Sequence, residues 1–414
     1  MIRQLCICAL LAVLALPAQS AARYQLEKVV EISRHGVRPP TAGNRKEIEA
    51  ATGRPWPRWA TADGELTPHG EAAVKNIGRW QGEHYRQLGL LHAGCPAARQ
   101  VYVRASPLQR TQATATALMA GAFPGCDVPV HRVTADSDPL FQSSHFPFAQ
   151  TDPAQERAAV AARAGDLAAL QQRLQPAIRL LQQAVCPTHC GIFEQPWQLK
   201  QTRSGHTWVQ GLSVLASMTE TLRLGWSENL PSEQLAWGHI TDAQQIIDLL
   251  PLQTASYDLS NDVPYLAQKR GSILLNAVVK SLEDRPATPD TRWLLLVAHD
   301  TNIAMVRTLI GFSWQLPGYA RGNIPPGGSL VFERWRDTQT HQPLLRIYFQ
   351  AQSLEALRQL TPVDDRHPLL REEWHQQNCQ VTVAGTLCPY QSTLEKLRKA
   401  IDRRALMPVT YPQS

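Results

Sequence analysis

Trp293-Leu-Leu-Leu-Val-Ala298-His299-Asp300-Thr301-Asn302 is an unbroken apolar run that ends in an imidazole and a carboxylate. A run this apolar reads as a strand buried on both faces, the environment of a central strand in a parallel sheet. A helix is expected to follow directly and to stop at Gly311. Strand then helix is the repeating unit of an α/β fold.

Two other stretches share this layout. Val101-Tyr-Val103 reads as a strand, followed by Arg104-Ala-Ser-Pro-Leu-Gln-Arg110-Thr111. There Ser106 and Gln109 form an expected capping box with Pro107 at the first helical position. Arg110 then falls in the opening turn, where backbone N–H groups already favour an anion. The third stretch is Val29-Val-Glu-Ile-Ser-Arg34-His35-Gly36-Val37-Arg38-Pro39-Pro40-Thr41. It is a strand delivering His35 between two arginines. Guanidiniums on either side disfavour a third positive charge, so His35 is biased toward its neutral, nucleophilic form. Arginine forks match phosphate oxygens, so the natural target is a phosphoryl group. In open parallel sheets ligands bind beyond the carboxyl ends of the strands, which lets the three junctions converge on one crevice.

A chain of 414 residues implies two domains, or one domain with a large insertion. Arg3, the apolar run Leu5–Pro17 and the small residues before Ala22 have the layout of a secretory signal over residues 1–21. The fold class expected is α/β, with residues 22–140 and 271–414 forming a large α/β domain around a mainly parallel central sheet flanked by helices. Residues 141–270 read as a smaller inserted helical domain, because strand signals disappear there. Its helical patterns are Pro153–Cys186, Ser213–Leu224, Thr241–Leu250 with a Thr241/Gln244 capping box, and a last one over Pro264–Leu282. Thr67-Pro68 opens another helix in the first α/β segment. Arg45–Gly64 reads as a long ordered loop near the mouth of a site. Leu330–Trp335 and Leu344–Phe349 are expected to pair as a hairpin at the sheet margin.

Six cysteines remain after the leader. In an exported chain an even number points to disulfides, and their grouping favours Cys95–Cys126, Cys186–Cys190 and Cys379–Cys388. A metal site at Cys186-Pro-Thr-His189-Cys190 lacks a companion pair of ligands, so no metal is expected. A net charge of +6 fits an anionic substrate. No basic run with interleaved aromatics points to nucleic acid, and after the leader no segment is long and apolar enough for a membrane span.

Arg34-His35-Gly36-Val37-Arg38-Pro39-Pro40 resembles the Arg-His-Gly-X-Arg-X-Pro signature of the histidine acid phosphatases, the clade-two histidine phosphatases. His299-Asp300-Thr301-Asn302 resembles their second signature. The likeness covers most of the mature chain and is nearest to the bacterial periplasmic phytase and glucose-1-phosphatase group, including Leu66-Thr-Pro, Asp138-Pro-Leu-Phe141, Gly238-His-Ile-Thr-Asp242 and Pro325–Arg336. The resemblance implies a periplasmic phosphoric monoester hydrolase without cofactor. His35 becomes phosphorylated, Arg34, Arg38, Arg110 and His299 hold the phosphate, and Asp300 protonates the leaving group. The partners implied are a small phosphate monoester and the inorganic phosphate product, with the protein a monomer. Pro39 and Ala42 depart from the phytase pattern, and the lysine that follows Thr41 in such a phytase is missing. Thr41, Arg45 and Lys46 are the candidate substrate residues, and Arg45, Lys46, Arg54 and Arg58 in the adjacent loop could replace the missing charge. The group's additional long-range disulfide also has no cysteines here. The expectation is a histidine acid phosphatase of broad or sugar-phosphate range. The alternatives are a dedicated phytase and a non-catalytic phosphate-binding protein, and Asp300 argues against the binder because a carboxylate repels a bound anion.

Overall fold

The computed structural model describes residues 23–97, 100–285, 288 and 290–412, so the leader expected over residues 1–21 lies outside the described residues. The chain opens with β1 (Tyr24–Arg34), α1 (Ala42–Thr52), α2 (Pro68–Gln87), β2 (Val101–Ala105), α3 (Gln109–Ala122) and the short β3 (Val130–His131). Next come α4 (Pro153–Ala164), α5 (Leu167–Arg173), α6 (Gln175–Val185), β4 (Gln198–Gln201), β5 (Thr207–Gln210), α7 (Leu212–Ser227), α8 (Ala243–Asp258) and α9 (Pro264–Leu282). The last part holds β6 (Trp293–Ala298), α10 (Asp300–Ile310), β7 (Ser329–Asp337), β8 (Pro343–Ala351), α11 (Leu354–Gln359), β9 (Leu370–Glu373), β10 (Gln380–Thr382), β11 (Gly385–Pro389) and α12 (Tyr390–Ala400).

The architecture is α/β. The main sheet runs β10-β11-β8-β7-β1-β6-β2-β3, with β9 paired to β8. The β1, β6, β2 and β3 half is parallel, and the strands from β7 outward are antiparallel to their neighbours. Val29–Arg34 faces Trp293–Ala298 residue for residue, and Val101–Ala105 faces Trp293–Val297. The three parallel strands therefore finish level, and the loops after Arg34, Ala105 and Ala298 leave the sheet at one edge.

Side chains on β6 alternate between two cores, as the period of a strand buried on both faces requires. Leu294, Leu296 and Ala298 join Val30 and Ile32 of β1 in the larger core, with residues of α7, α8, α9 and α10. Trp293, Leu295 and Val297 join Val29 in the second, under α2 and α3. Those two helices touch backbone to backbone. A Cβ on Gly78 would stand 2.0 Å from the Leu118 carbonyl oxygen, so only glycine permits the contact.

Several local expectations need correcting. The segment Arg45–Gly64 is not a loop throughout: Ala42–Thr52 is helix α1, capped by Thr41 and closed by Gly53 in the left-handed region. The proline-rich loop begins only afterwards. A two-stranded hairpin, β4 with β5, lies inside the stretch expected to be helical. The β7–β8 hairpin forms, yet it lies within the sheet, because β1 flanks one side and β9 and β11 the other. The α8 cap is Asp242, which accepts from Gln245 N, in place of the Thr241/Gln244 box. The expected boundary at 270/271 falls inside α9, and the larger core continues from the helices of 141–270 into the sheet. All three expected disulfides form, which leaves no thiolate at Cys186 or Cys190 for a metal.

Candidate active site

His35 is the first residue past β1. Its backbone is held from both sides, its N–H donating to Ala298 O at 3.2 Å and its carbonyl accepting from Gly327 N at 3.1 Å. Gly36 follows because a Cβ there would lie 2.8 Å from Leu66 Cδ1. The His35 Nδ1 is 2.8 Å from the Gly36 carbonyl oxygen. A carbonyl only accepts, so Nδ1 carries the hydrogen and Nε2 keeps the lone pair. Burial, then the charges of Arg38, Arg34, Arg110 and His299, push the imidazole well below its usual range, so it stays neutral.

Three arginines surround it. Arg34, fully buried, donates to Ile324 O at 2.6 Å and to Glu220 Oε1 at 2.5 Å. Its Nη2 also lies 3.9 Å from Asp300 Oδ2. Arg38 donates to its neighbour's carbonyl, Pro39 O, at 2.9 Å, and Arg110 to Gly64 O at 3.3 Å. Arg38 is pulled down to about 10 by burial and by Arg110 and Arg34. The Nε of each of the three is buried without a hydrogen-bond acceptor in the described protein. Buried donors left over in this way are rare in folded proteins and here they belong to a cluster of like charges, the arrangement an anion completes.

His299 and Asp300 come from the end of β6. The His299 ring stands 5.7 Å from that of His35 at 65°, and its Nε2 lies 3.0 Å from Ser106 Oγ. Asp300 opens α10, and its carboxylate accepts a hydrogen bond from Tyr257 Oη. Burial alone would raise its pKa. Arg34, the Tyr257 hydroxyl, Arg38 and His299 outweigh that and hold the carboxyl well below its usual range.

The structure thus brings His35, Arg34, Arg38, Arg110, His299 and Asp300 to one place. It does not do so for the whole substrate set. The Thr41 hydroxyl caps α1, accepting from Asn44 N at 3.2 Å. Arg45 is buried, with Nε and Nη2 each 2.7 Å from the Asp63 carboxylate, so its charge is already neutralised. Lys46 is exposed on α1. The Ser106/Gln109 capping box is absent. Leu108 takes the cap position without a side-chain bond, while Gln109 Oε1 accepts from Leu66 N at 2.9 Å and Ser106 turns to His299. Arg110 remains in the first turn of α3.

Three residues escaped the sequence reading. Glu220 of α7 takes Arg34, Arg223 and Gln253 as donors. Tyr257 of α8 reaches Asp300, and Ser106 serves His299. No local motif marks Glu220 or Tyr257.

A sequence profile of the histidine phosphatase superfamily (branch 2) matches residues 25–350. The chain belongs to this family. It is 32% identical over 376 residues to phytase AppA of Escherichia coli K12, covering 85% of this chain and 86% of that one. It is 33% identical over 385 residues to glucose-1-phosphatase of Salmonella typhimurium LT2, covering 88% and 90%. Among solved structures, the phytase of Klebsiella sp. ASR1 aligns with a TM-score of 0.92 at 62% identity, over 94% of this chain and 100% of that one. As a member of the histidine phosphatase superfamily the protein is a phosphoric monoester hydrolase, and a sugar-phosphate or phytate ester fits it.

Proposed function

We propose that the protein hydrolyses phosphate monoesters through a phosphohistidine on His35 Nε2, with inositol hexakisphosphate among its substrates. The observation that carries this is the neutral His35, its Nε2 lone pair unprotonated, beside three guanidiniums that each keep a buried N–H without an acceptor. The phosphoryl oxygens accept from Arg34, Arg38, Arg110 and His299. Nε2 attacks phosphorus, the bond to the ester oxygen breaks, and that oxygen leaves with a proton from Asp300. Water then attacks the phosphohistidine, Asp300 takes its proton, and inorganic phosphate departs. Fixed positive charge supplies most of the acceleration that phosphoryl transfer needs.

The first proton has to arrive with the substrate, because Asp300 is ionised in the empty site. A monoanionic ester, abundant below a second pKa of about 6, brings one. Negative charge on the bound phosphoryl group then raises the Asp300 carboxyl enough to receive it. Acid activity that declines above about pH 6 follows from this proton count.

The 62% identity to a Klebsiella phytase supports the phytate substrate. The neutralised Arg45 weighs toward fewer phosphate contacts at the mouth, so smaller sugar phosphates are the second reading. We also place the enzyme outside the cytoplasm, a location that three disulfides favour. Among the described residues no helix is long and apolar enough to cross a membrane. Residues 141–270, as an insertion in the α/β frame, would contribute Glu220 and Tyr257 to the site.

Hydrolysis of p-nitrophenyl phosphate in the presence of a chelator, by the protein and by His35→Ala, tests the chemistry. Turnover that survives chelation and vanishes in the variant is expected; no hydrolysis at any acid pH refutes the proposal. Rates on phytate, glucose 1-phosphate and p-nitrophenyl phosphate, measured side by side, decide the substrate.

A further inference from the structure

Of the three site arginines, Arg110 is the least confined. Arg34 and Arg38 are buried at the end of β1 and in the loop after it, whereas Arg110 is half-buried in the first turn of α3. The charges of Arg34 and Arg38 repel its guanidinium, with Asp300 attracting it. Against that repulsion it has one hydrogen bond among the described residues, from Nη1 to Gly64 O at 3.3 Å. Where Arg110 stands is therefore tied to where Gly64 stands.

The segment around Gly64 is clipped almost residue by residue. The Asp63 carboxylate takes Nε and Nη2 of Arg45, each at 2.7 Å. Glu65 N donates to Ala62 O at 3.1 Å and closes a turn in which Gly64 holds a φ of +81°, a conformation that favours glycine. Leu66 N donates to Oε1 of Gln109, the residue before Arg110, and Thr67 N to Val37 O at 3.1 Å. Gly64 is thus set between α1, through Asp63, and α3, through Leu66. Arg45 also reaches the start of the proline-rich loop, its Nη1 lying 3.4 Å from Trp56 O and 3.3 Å from Pro57 O. One buried guanidinium gathers both ends of that loop. Arg58 Nη1 and Asp63, like Arg45 and Glu49, approach only to 3.8 Å, too far for a hydrogen bond. The fork of Arg45 on Asp63 is the strong joint, because a bidentate pair fixes orientation as well as distance.

We propose that Arg45 and Asp63 are positioning residues: their ion pair sets the Gly64 carbonyl, which holds the Arg110 guanidinium against the bound phosphoryl group. This rests on the reading of Arg110 as a phosphate-binding residue. Arg45 then acts on the substrate through Arg110 and not through its own charge, which Asp63 neutralises.

The test replaces the pair as a unit, Arg45→Met with Asp63→Ala, since removing one partner alone would strand a buried charge and apolar replacement of both is often neutral for folding. It is combined in a double-mutant cycle with Arg110→Ala. The readouts are kcat/KM for p-nitrophenyl phosphate and the inhibition constant of inorganic phosphate. With Arg110 present, the paired replacement is expected to lower kcat/KM roughly tenfold and to raise the inhibition constant by a similar factor, the scale of a misplaced binding group. In the Arg110→Ala background the same replacement is expected to change either by less than about twofold. Equal losses in both backgrounds would mean a packing role, and no loss in either would mean that Gly64 stays put without the pair. Each overturns the inference and leaves the phosphate-binding reading intact. An Arg110→Ala enzyme with unchanged kcat/KM and phosphate inhibition would overturn that reading and this one with it. Asp63→Asn, which keeps the side-chain shape and one acceptor, is the second variant should the paired one not fold. It is expected to lose roughly threefold, again only with Arg110 present, and a loss that persists in Arg110→Ala contradicts the proposal.

Discussion

Replacing Tyr257 by phenylalanine isolates the control of the proton on Asp300. The Tyr257 hydroxyl donates to the Asp300 carboxylate, and burial keeps the phenol protonated far above neutral pH. The ring itself packs under the Arg307 guanidinium, whose carbon is 5.7 Å from its centroid, a contact phenylalanine preserves. A hydrogen bond to a charged group contributes roughly 1.5–3 kcal/mol, which is roughly 1–2 pKa units. Arg34, 3.9 Å away, still stabilises the ionised form, so the lower figure of about 1 unit is expected. The sign is fixed by the direction of the bond. Tyr257 stabilises the carboxylate, so its loss raises the pKa and extends the protonated, leaving-group-donating form to higher pH. In the loaded enzyme kcat falls as pH rises through this pKa. The descending limb of kcat against pH should therefore move up by about 1 unit on an alkyl ester such as glycerol phosphate. It should move little on p-nitrophenyl phosphate, whose phenolate leaves without a proton. A limb that stays put on the alkyl ester, or moves to lower pH, would refute the assignment of Asp300 as the donor and Tyr257 as its tuner.

Asp300→Asn should lower kcat on glycerol phosphate by roughly 100-fold or more and on p-nitrophenyl phosphate by roughly tenfold or less; equal losses would argue that Asp300 is not the acid. Cys95→Ala with Cys126→Ala removes a link across 31 residues, against 4 for the Cys186–Cys190 pair. Loop-closure entropy puts the two losses at about 4 and about 2 kcal/mol, and urea unfolding of the paired variants should rank them in that order. Burial alone would raise Glu156, but its hydrogen bonds to His206, Thr151 and Thr207 and the charge of Arg270 bring it to about 2. A depressed carboxylate adds stability above its ordinary pKa near 4.5 that is lost as pH falls toward about 2. Glu156→Gln should flatten the decline of Tm over that window, and an unchanged slope would show that other carboxylates carry it.

Strong local signals were enough for the frame. The apolar run Trp293–Ala298 is a strand in any context that buries both faces, and Pro264–Leu282 starts on a proline and keeps a helical period. The three junctions were legible because their charged residues follow directly on strands. Misreadings arose where distant partners outbid local ones. Ser106 and Gln109 have the spacing of a cap, yet His299 and Leu66 offered them other bonds. In the β4–β5 hairpin Gln198-Leu-Lys-Gln201 is mostly polar, and its partner Thr207-Trp-Val-Gln210 has strand-forming residues but is only four residues long. Arg45 is neutralised by Asp63, which stands in the loop beyond α1, a partner that no local spacing announces. Glu220 and Tyr257 carry no motif; only the packing of α7 and α8 against the sheet edge brings them to Arg34 and Asp300.

The central claim is a covalent bond between phosphorus and His35 Nε2. A radiolabelled phosphate ester mixed with enzyme and quenched in alkali, where phosphohistidine survives, measures it directly once the labelled peptide is mapped. The label should appear on the Nε2 nitrogen of His35 and be absent from His35→Ala. Label on Nδ1, on another side chain, or on no protein residue while product accumulates would contradict the account.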